Sequence, residues 1–219
     1  MRYGCLLFDL DGTLVDSSED LAASVNLTLA EAGLATLARE RVVGFVGEGV
    51  FKLLERSLAA SLLRAPTAQE VEAGVRAFKR HYALHLVERT RPYPGVEEML
   101  SRFTGLPLAV VTNKPSEHTV GILEALGLRR HFRAVLGGDS LPERKPQPAP
   151  LLEAARLCGV PPARCLMVGD SRVDVLAGRA ASMKTCGFAG GFRGRRELEE
   201  AGADFLIKHF EELRHVVEG

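Results

Sequence analysis

Short apolar runs alternate with longer stretches of helical spacing along most of this chain. Cys5–Phe8 forms the first run, and others follow at Leu108–Val111, Ala134–Leu136, residues 165–168, Lys184–Phe188 and residues 204–207. Apolar runs of this length, bounded by turn residues and separated by helix-length segments, are the pattern of strands buried on both faces of a parallel sheet. They predict an α/β fold, a doubly wound parallel six-stranded sheet with a Rossmann-like core. In the common spatial order 3-2-1-4-5-6 the switch point falls between the first and fourth strands.

One long interval carries no strand signal. Leu21, Val25, Leu29 and Ala32 recur at helical spacing, with Ser17 or Ser18 as N-cap and Gly33 as terminator. Residues 42–46, a turn at Gly47-Glu48-Gly49, a helix through Phe51, Leu54 and Leu58, and another through Val75, Phe78, Tyr82 and Leu86 come next. Residues 15–89 are therefore expected to be an inserted all-helical cap domain, leaving residues 1–14 and 90–219 as a discontinuous core.

Composition narrows the partners. The chain has 219 residues, 46% hydrophobic and 26% charged, with a formal net charge of zero. A balanced charge excludes a broad polyanion-binding face, so no nucleic acid is expected as a partner, and Arg193, Arg195 and Arg196 read as a solvated run near a helix start. The four cysteines show no C-x-x-C spacing and read as reduced, buried small hydrophobes. With no span of about 18 apolar residues and no signal-peptide pattern at the N-terminus, a cytoplasmic protein without a membrane partner is expected. Monomer and homodimer both remain open.

The candidate chemistry lies at strand ends. Asp9 and Asp11 directly follow the first run, at the carboxyl end of a strand, where open α/β sheets bind ligands. At about 4 Å and an effective dielectric of about 20, two carboxylates repel by about 4 kcal/mol, so a cation is required. Carboxylate-rich sites favour Mg²⁺, which shares its sphere with water and a substrate phosphate. A calcium loop lacks its glycine and terminal Glu here, and His81 with His85 lack the further ligands of a zinc site. Thr112-Asn113 closes the second strand, Gly169-Asp170-Ser171 with Asp174 the fourth, and Lys145 follows the third.

That set fits phosphoryl transfer, which needs an in-line nucleophile and charge neutralisation. Asp9 is the candidate nucleophile, forming an aspartyl-phosphate, and Asp11 the general acid and base. Asp170, the Asp9 carboxylate and the Asp11 main-chain carbonyl form the expected Mg²⁺ set. Lys145 offsets charge, Thr112 and Asn113 help to bind the phosphoryl group, and Asp174 orients Lys145 or a metal-bound water. Singly, each of these residues has an ordinary reading as a turn, cap or surface group.

Together they resemble the four motifs of the haloacid dehalogenase superfamily of phosphatases. Phe8-Asp9-Leu10-Asp11-Gly12-Thr13-Leu14 resembles the first motif, Val111-Thr112-Asn113 the second, Lys145-Pro146 the third, and Val168-Gly169-Asp170-Ser171-Arg172-Val173-Asp174 the fourth. Within the superfamily the chain is similar to the phosphoglycolate phosphatases, on Leu14-Val15-Asp16-Ser17, Val46-Gly47-Glu48-Gly49-Val50, Pro92-Tyr93-Pro94-Gly95-Val96 and Gly137-Gly138-Asp139. The resemblance implies hydrolysis of a small phosphorylated metabolite, 2-phosphoglycolate to glycolate and phosphate. The alternatives are another small ester such as a sugar phosphate or pyrophosphate, or a mutase. Val173 departs from the Asn or Asp of many relatives, and Ser182 from a common glycine.

A dehalogenase or phosphonate hydrolase would not need Asp11. A receiver-type phospho-switch usually carries its acceptor on a later strand. The turn Gly47-Glu48-Gly49 opens a helix whose free N–H groups suit a carboxylate, which makes Gly47, Gly49 and Lys52 candidates for the non-phosphate end of the substrate. Glu48 counts against this unless it points away.

Overall fold

The computed structural model describes residues 1–219, which divide into a first unit of Met1–Asp16 and Arg91–Gly219 and a second of Ser17–Thr90. The strands are β1 (Cys5–Phe8), β2 (Val15–Asp16), β3 (Arg91–Pro92), β4 (Leu108–Val111), β5 (Ala134–Leu136), β6 (Cys165–Gly169), β7 (Lys184–Phe188) and β8 (Phe205–Ile207). The second unit holds helices α1 (Ser18–Glu31), α2 (Arg39–Val43), α3 (Val50–Leu62) and α4 (Ala68–Leu84). The first holds α5 (Val96–Arg102), α6 (Ser116–Ala125), α7 (Ala149–Cys158), α8 (Arg172–Ala180), α9 (Arg195–Ala201) and α10 (Leu213–Glu218).

Six strands make one sheet in the order β5-β4-β1-β6-β7-β8, the expected 3-2-1-4-5-6 arrangement. All neighbours run parallel, with Leu7 opposite Ala109 on one side and Met167 on the other. β1 is central and buried throughout. Its alternate residues Cys5 and Leu7 join Ala109, Val111, Leu151, Ala155, Cys158, Cys165 and Met167 in one core, which places α7 against that face. On the other face Phe8 packs on Phe132 and Phe210, with ring centroids 6.3 and 6.2 Å apart, and Phe210 on Phe188 at 5.4 Å. Full burial of each such side chain is worth about 1.5–3 kcal/mol, so register along β1 is strongly fixed. All four cysteines are free and buried, as small hydrophobes are.

The second unit is all helical. Thr67 caps α4, its hydroxyl accepting from the Glu70 N–H while Glu70 accepts from the Thr67 N–H at 2.7 Å. Gly74 lets α4 approach Leu54 and Leu58 of α3. Ser17 occupies the N-cap of α1 without a side-chain capping bond, and Gly33 follows the helix at φ +70°. α4 ends at Leu84, ahead of Leu86, with His85 as its cap.

Three boundary residues lie on the other side of the division from their sequence expectation. Val15 and Asp16, read as part of the helical insert, pair with Pro92 and Arg91 in the β2–β3 ribbon and so belong to the first unit. Thr90, read as core, belongs to the helical unit, because buried Asp20 in the first turn of α1 accepts from the Thr90 N–H at 2.8 Å and hydroxyl at 2.7 Å. Asp20 also accepts from the Arg89 N–H at 3.0 Å. Ser182 takes a left-handed φ of 57°, a conformation that the glycine expected here from the family resemblance adopts without strain. No helix is long and apolar enough to cross a membrane.

Replacing Asp20 by Ala strands buried donors at the closure of the helical unit. Asp20→Ala is expected to destabilise that unit by about 2–3 kcal/mol, measured as a lowered urea midpoint with unchanged slope.

Candidate active site

The carboxyl ends of β1, β4 and β6 converge, and backbone hydrogen bonds aim their side chains. The Asp9 N–H donates to Val168 O at 3.0 Å, carrying the β1–β6 ladder one residue past the strand. Leu10 then plugs the core while its carbonyl accepts from the N–H groups of Thr13, Leu14 and Val15. This tight turn needs Gly12, which has φ +82° and on which a Cβ would strike the Asp170 carboxylate. Sequence spacing thus becomes geometry: Asp9 and Asp11 flank one buried leucine.

Asp9 is held on several sides. Its Oδ1 accepts from the Leu10 N–H at 2.7 Å and lies 3.1 Å from Lys145 Nζ, and the Thr112 hydroxyl donates to the carboxylate. Lys145 Nζ also donates to Asp174 Oδ1 at 2.6 Å. The other Asp174 oxygen accepts from Ser171 N–H at 3.1 Å and hydroxyl at 2.7 Å, closing the capping box of α8. Asn113 Nδ2 donates to Lys145 O at 2.9 Å, fixing the loop with the cis Lys145–Pro146 peptide. Asp170 accepts from the Thr13 hydroxyl at 3.2 Å and the Phe192 N–H at 2.8 Å.

Asp9, Asp170 and Asp174 are all buried, with ligand atoms within 4.8 Å of one another. Three clustered carboxylates with one ammonium, Lys145 on Asp9 and Asp174, leave an excess of negative charge. Burial, with the Asp174 carboxylate next, pushes the Asp9 carboxyl up to about 7 against the pull of Lys145 and its hydrogen bonds. Burial and the neighbouring carboxylates of Asp174 and Asp9 drive Asp170 well above the usual carboxylate range. Burial opposes the charge on Lys145, but Asp174 and Asp9 outweigh it and raise its pKa. Such hard, buried, over-negative oxygen donors fit a divalent cation. Asp174 already serves Lys145 and Ser171, which leaves Asp9 and Asp170 as the better-placed side-chain ligands.

Asp11 stands outside this triplet. Both of its carboxylate oxygens lie 3.0 Å from Lys114 Nζ, and the two side chains are only 11% and 5% exposed. Each acid of the Asp-x-Asp pair therefore has its own lysine, so the cationic compensation demanded by the sequence comes in part from the protein itself. Sequence reasoning overlooked Lys114. The available signal was a lysine directly after Thr112-Asn113 at the carboxyl end of a fully buried strand, where a surface lysine is out of place. Thr13, Ser171 and the Phe192 N–H were also unforeseen as partners of the acids.

The remaining candidates lie in the helical unit. Gly47 and Gly49 have φ +117° and +89°, and Gly49 is the N-cap of α3 without a side-chain capping bond. Glu48 is paired with Arg56 at 2.6 Å and Lys52 with Glu55 at 2.6 Å. His81 and His85 bond Glu31 and Glu88 respectively, each at 2.8 Å. In the first unit Arg193, Arg195 and Arg196 pair with Glu197, Glu199 and Glu200 one turn on along α9.

Comparison with known proteins matches this architecture. The family profile described as haloacid dehalogenase-like hydrolase matches residues 6–188. A phosphoglycolate phosphatase of Neisseria meningitidis serogroup A is 40% identical, with 94% of this chain and 90% of the relative covered. The crystal structure of a predicted phosphoglycolate phosphatase from Haemophilus somnus 129PT superposes with a TM-score of 0.93 at 33% identity over 99% of both chains. CbbY from Rhodobacter sphaeroides, solved in complex with xylulose-(1,5)bisphosphate, gives a TM-score of 0.81 at 26% identity over 96% of both chains. With the profile spanning both the Asp9 and Asp170 strand ends, the chain belongs to the haloacid dehalogenase-like hydrolase family.

Proposed function

We propose that this phosphomonoester hydrolase is Mg²⁺-dependent, passes through an aspartyl-phosphate on Asp9, and converts 2-phosphoglycolate to glycolate and phosphate. The observation that carries the mechanism is the buried Asp9 carboxylate set between Lys145 and Asp170. In the first step an Asp9 oxygen forms a bond to phosphorus as the ester bond breaks, and Asp11 gives its proton to the departing alkoxide. In the second, water attacks phosphorus, Asp11 takes the water proton, and the Asp9–phosphorus bond breaks. Lys145, held by Asp174, and the Thr112 hydroxyl neutralise and orient the phosphoryl oxygens. Asn113 keeps Lys145 in place through its main chain. Asp9, Asp170 and the Asp11 main-chain carbonyl would hold Mg²⁺, which supplies positive charge against the phosphoryl oxygens.

The substrate reading rests on relatives named phosphoglycolate phosphatase at 40% identity over most of the chain. A second reading, a phosphatase or mutase for a sugar phosphate, is favoured by the likeness to CbbY with its sugar bisphosphate. Initial rates on 2-phosphoglycolate, hexose phosphates, pyrophosphate and nucleoside monophosphates, with Mg²⁺ and with EDTA, separate the two. A leading kcat/KM for 2-phosphoglycolate that EDTA abolishes supports the proposal. Comparable rates on several esters point to a generalist, and a single stoichiometric turnover to a phospho-receiver.

Asp9→Asn is expected to abolish turnover. Asp11→Asn is expected to lower kcat by about 10²–10⁴-fold while still trapping one phosphoryl group on Asp9, visible by intact mass. Wild-type rates in either variant would remove these roles.

Asp170 gives a pH-dependent test. An acid whose folded pKa is raised binds more protons folded than unfolded, so its charge costs stability as pH rises from the unfolded value of about 3.9 towards the folded one. With Asp9 raised to about 7 and Asp170 raised as well, Mg²⁺ is expected to raise Tm more at pH 8 than at pH 5. Asp170→Asn is expected to raise Tm in EDTA by about 2–4 °C per kcal/mol of relieved repulsion and to lose the Mg²⁺ response. Thermal scans that show equal Mg²⁺ shifts at both pH values contradict this.

The part taken by Gly47, Gly49 and Lys52 in reading the substrate is a separate proposal. Lys52→Ala is expected to raise KM with kcat little changed, and an unchanged kcat/KM takes Lys52 out of the site.

A further inference from the structure

Lys114 takes no part in the phosphoryl chemistry assigned to Lys145, yet it is almost wholly buried beside the general acid. Its backbone is fixed at the carboxyl end of β4: the Lys114 N–H donates to the Thr112 hydroxyl oxygen at 3.3 Å, and its carbonyl accepts from the Gly138 N–H at 2.8 Å. The side chain is thereby carried from the phosphate-binding turn towards Asp11, where its ammonium bridges both oxygens at 3.0 Å.

That location defines a side of the substrate. Asp11 must come within about 2.6–3.2 Å of the ester oxygen to protonate it. An ammonium 3.0 Å from the same carboxylate therefore faces the leaving group, whereas Lys145, on Asp9 and Asp174, faces the phosphoryl group. When Asp11 turns onto the ester oxygen, the donors of Lys114 that pointed at it lose an acceptor. A buried ammonium that gives up its carboxylate partner loses charge compensation. A carboxylate on the carbon next to the ester oxygen would replace the lost acceptor through charge-assisted hydrogen bonds, and a neutral substituent would not.

We propose that Lys114 is a specificity-determining residue that reads the negative charge on the leaving group, selecting small phosphorylated carboxylic acids over neutral phosphate esters. This deepens the function proposed above and rests on it. It places the reader of the acid in the first unit, on the strand that also supplies Thr112.

The test compares kcat/KM for 2-phosphoglycolate and for 2-hydroxyethyl phosphate, a neutral-tailed ester of similar size, in Mg²⁺. The wild type is expected to prefer the acid. In Lys114→Met that preference falls about 100-fold, the scale of one buried charge-assisted contact, chiefly through KM for the acid. Lys114→Arg, which keeps the charge, retains at least a tenth of the preference. Equal losses on both esters in Lys114→Met overturn the inference, because they are the signature of a lysine that acts only by holding Asp11. An intact preference in that variant overturns it too. A wild type that hydrolyses the neutral ester better than the acid overturns the substrate reading along with the inference, so the two failures are distinguishable. Should Lys114→Met fail to fold, Lys114→Gln takes its place with the same readout.

Discussion

Too much negative charge is buried in too small a space at the carboxyl ends of β1 and β6, and much of the first unit is arranged around that fact. Asp9, Asp170 and Asp174 lie together with one ammonium, that of Lys145, bound to Asp9 and Asp174, a combination that costs stability unless every oxygen has a donor and a cation is at hand. Donors come from Leu10, Thr13, Thr112, Ser171 and Phe192. Gly12 leaves room for the Asp170 carboxylate, and α8 begins with the capping box that fixes Asp174. Polar groups held this firmly are costly for folding and useful for catalysis, because they are already oriented when charge moves.

The sheet supplies the rigidity that such a cluster requires. β1 is buried on both sides, with Cys5 and Leu7 towards α7 and Phe8 towards an aromatic layer. A one-residue slip would exchange these faces and displace Asp9, so packing far from the acids holds them in place. The same logic explains why the polar residues occupy strand ends: only there can a backbone locked into a ladder present a side chain to a ligand.

Two lysines stand beside different acids. Lys145 bridges Asp9 and Asp174, the acids proposed to position the phosphoryl group, while Lys114 bridges both oxygens of Asp11. The pairing turns two neighbouring carboxylates with identical chemistry into groups with different surroundings, Asp9 beside Lys145 and two further carboxylates and Asp11 beside Lys114. Different environments around like groups are a general means of giving them different roles.

The strands, their spatial order and the placement of Asp9, Asp11, Thr112, Lys145 and Asp170 at or beyond strand ends were legible from the sequence, because buried parallel strands write continuous apolar runs and their ends write short polar clusters. Local signals also marked the α1 terminator at Gly33 and the long helical interval. Tertiary structure alone decided which side chains meet across gaps of many residues: Asp20 with Thr90, Lys114 with Asp11, Thr13 with Asp170. No period or spacing encodes such pairs, since each partner's position is set by a different strand or helix. Lys114 shows the limit most clearly, as its place after an apolar strand marks it as unusual while only the fold sets it against Asp11. What this sequence determined by itself was the scaffold and the kind of chemistry at its edge. The fold decided which cation serves which acid, because electrostatic partners are fixed by distance in space.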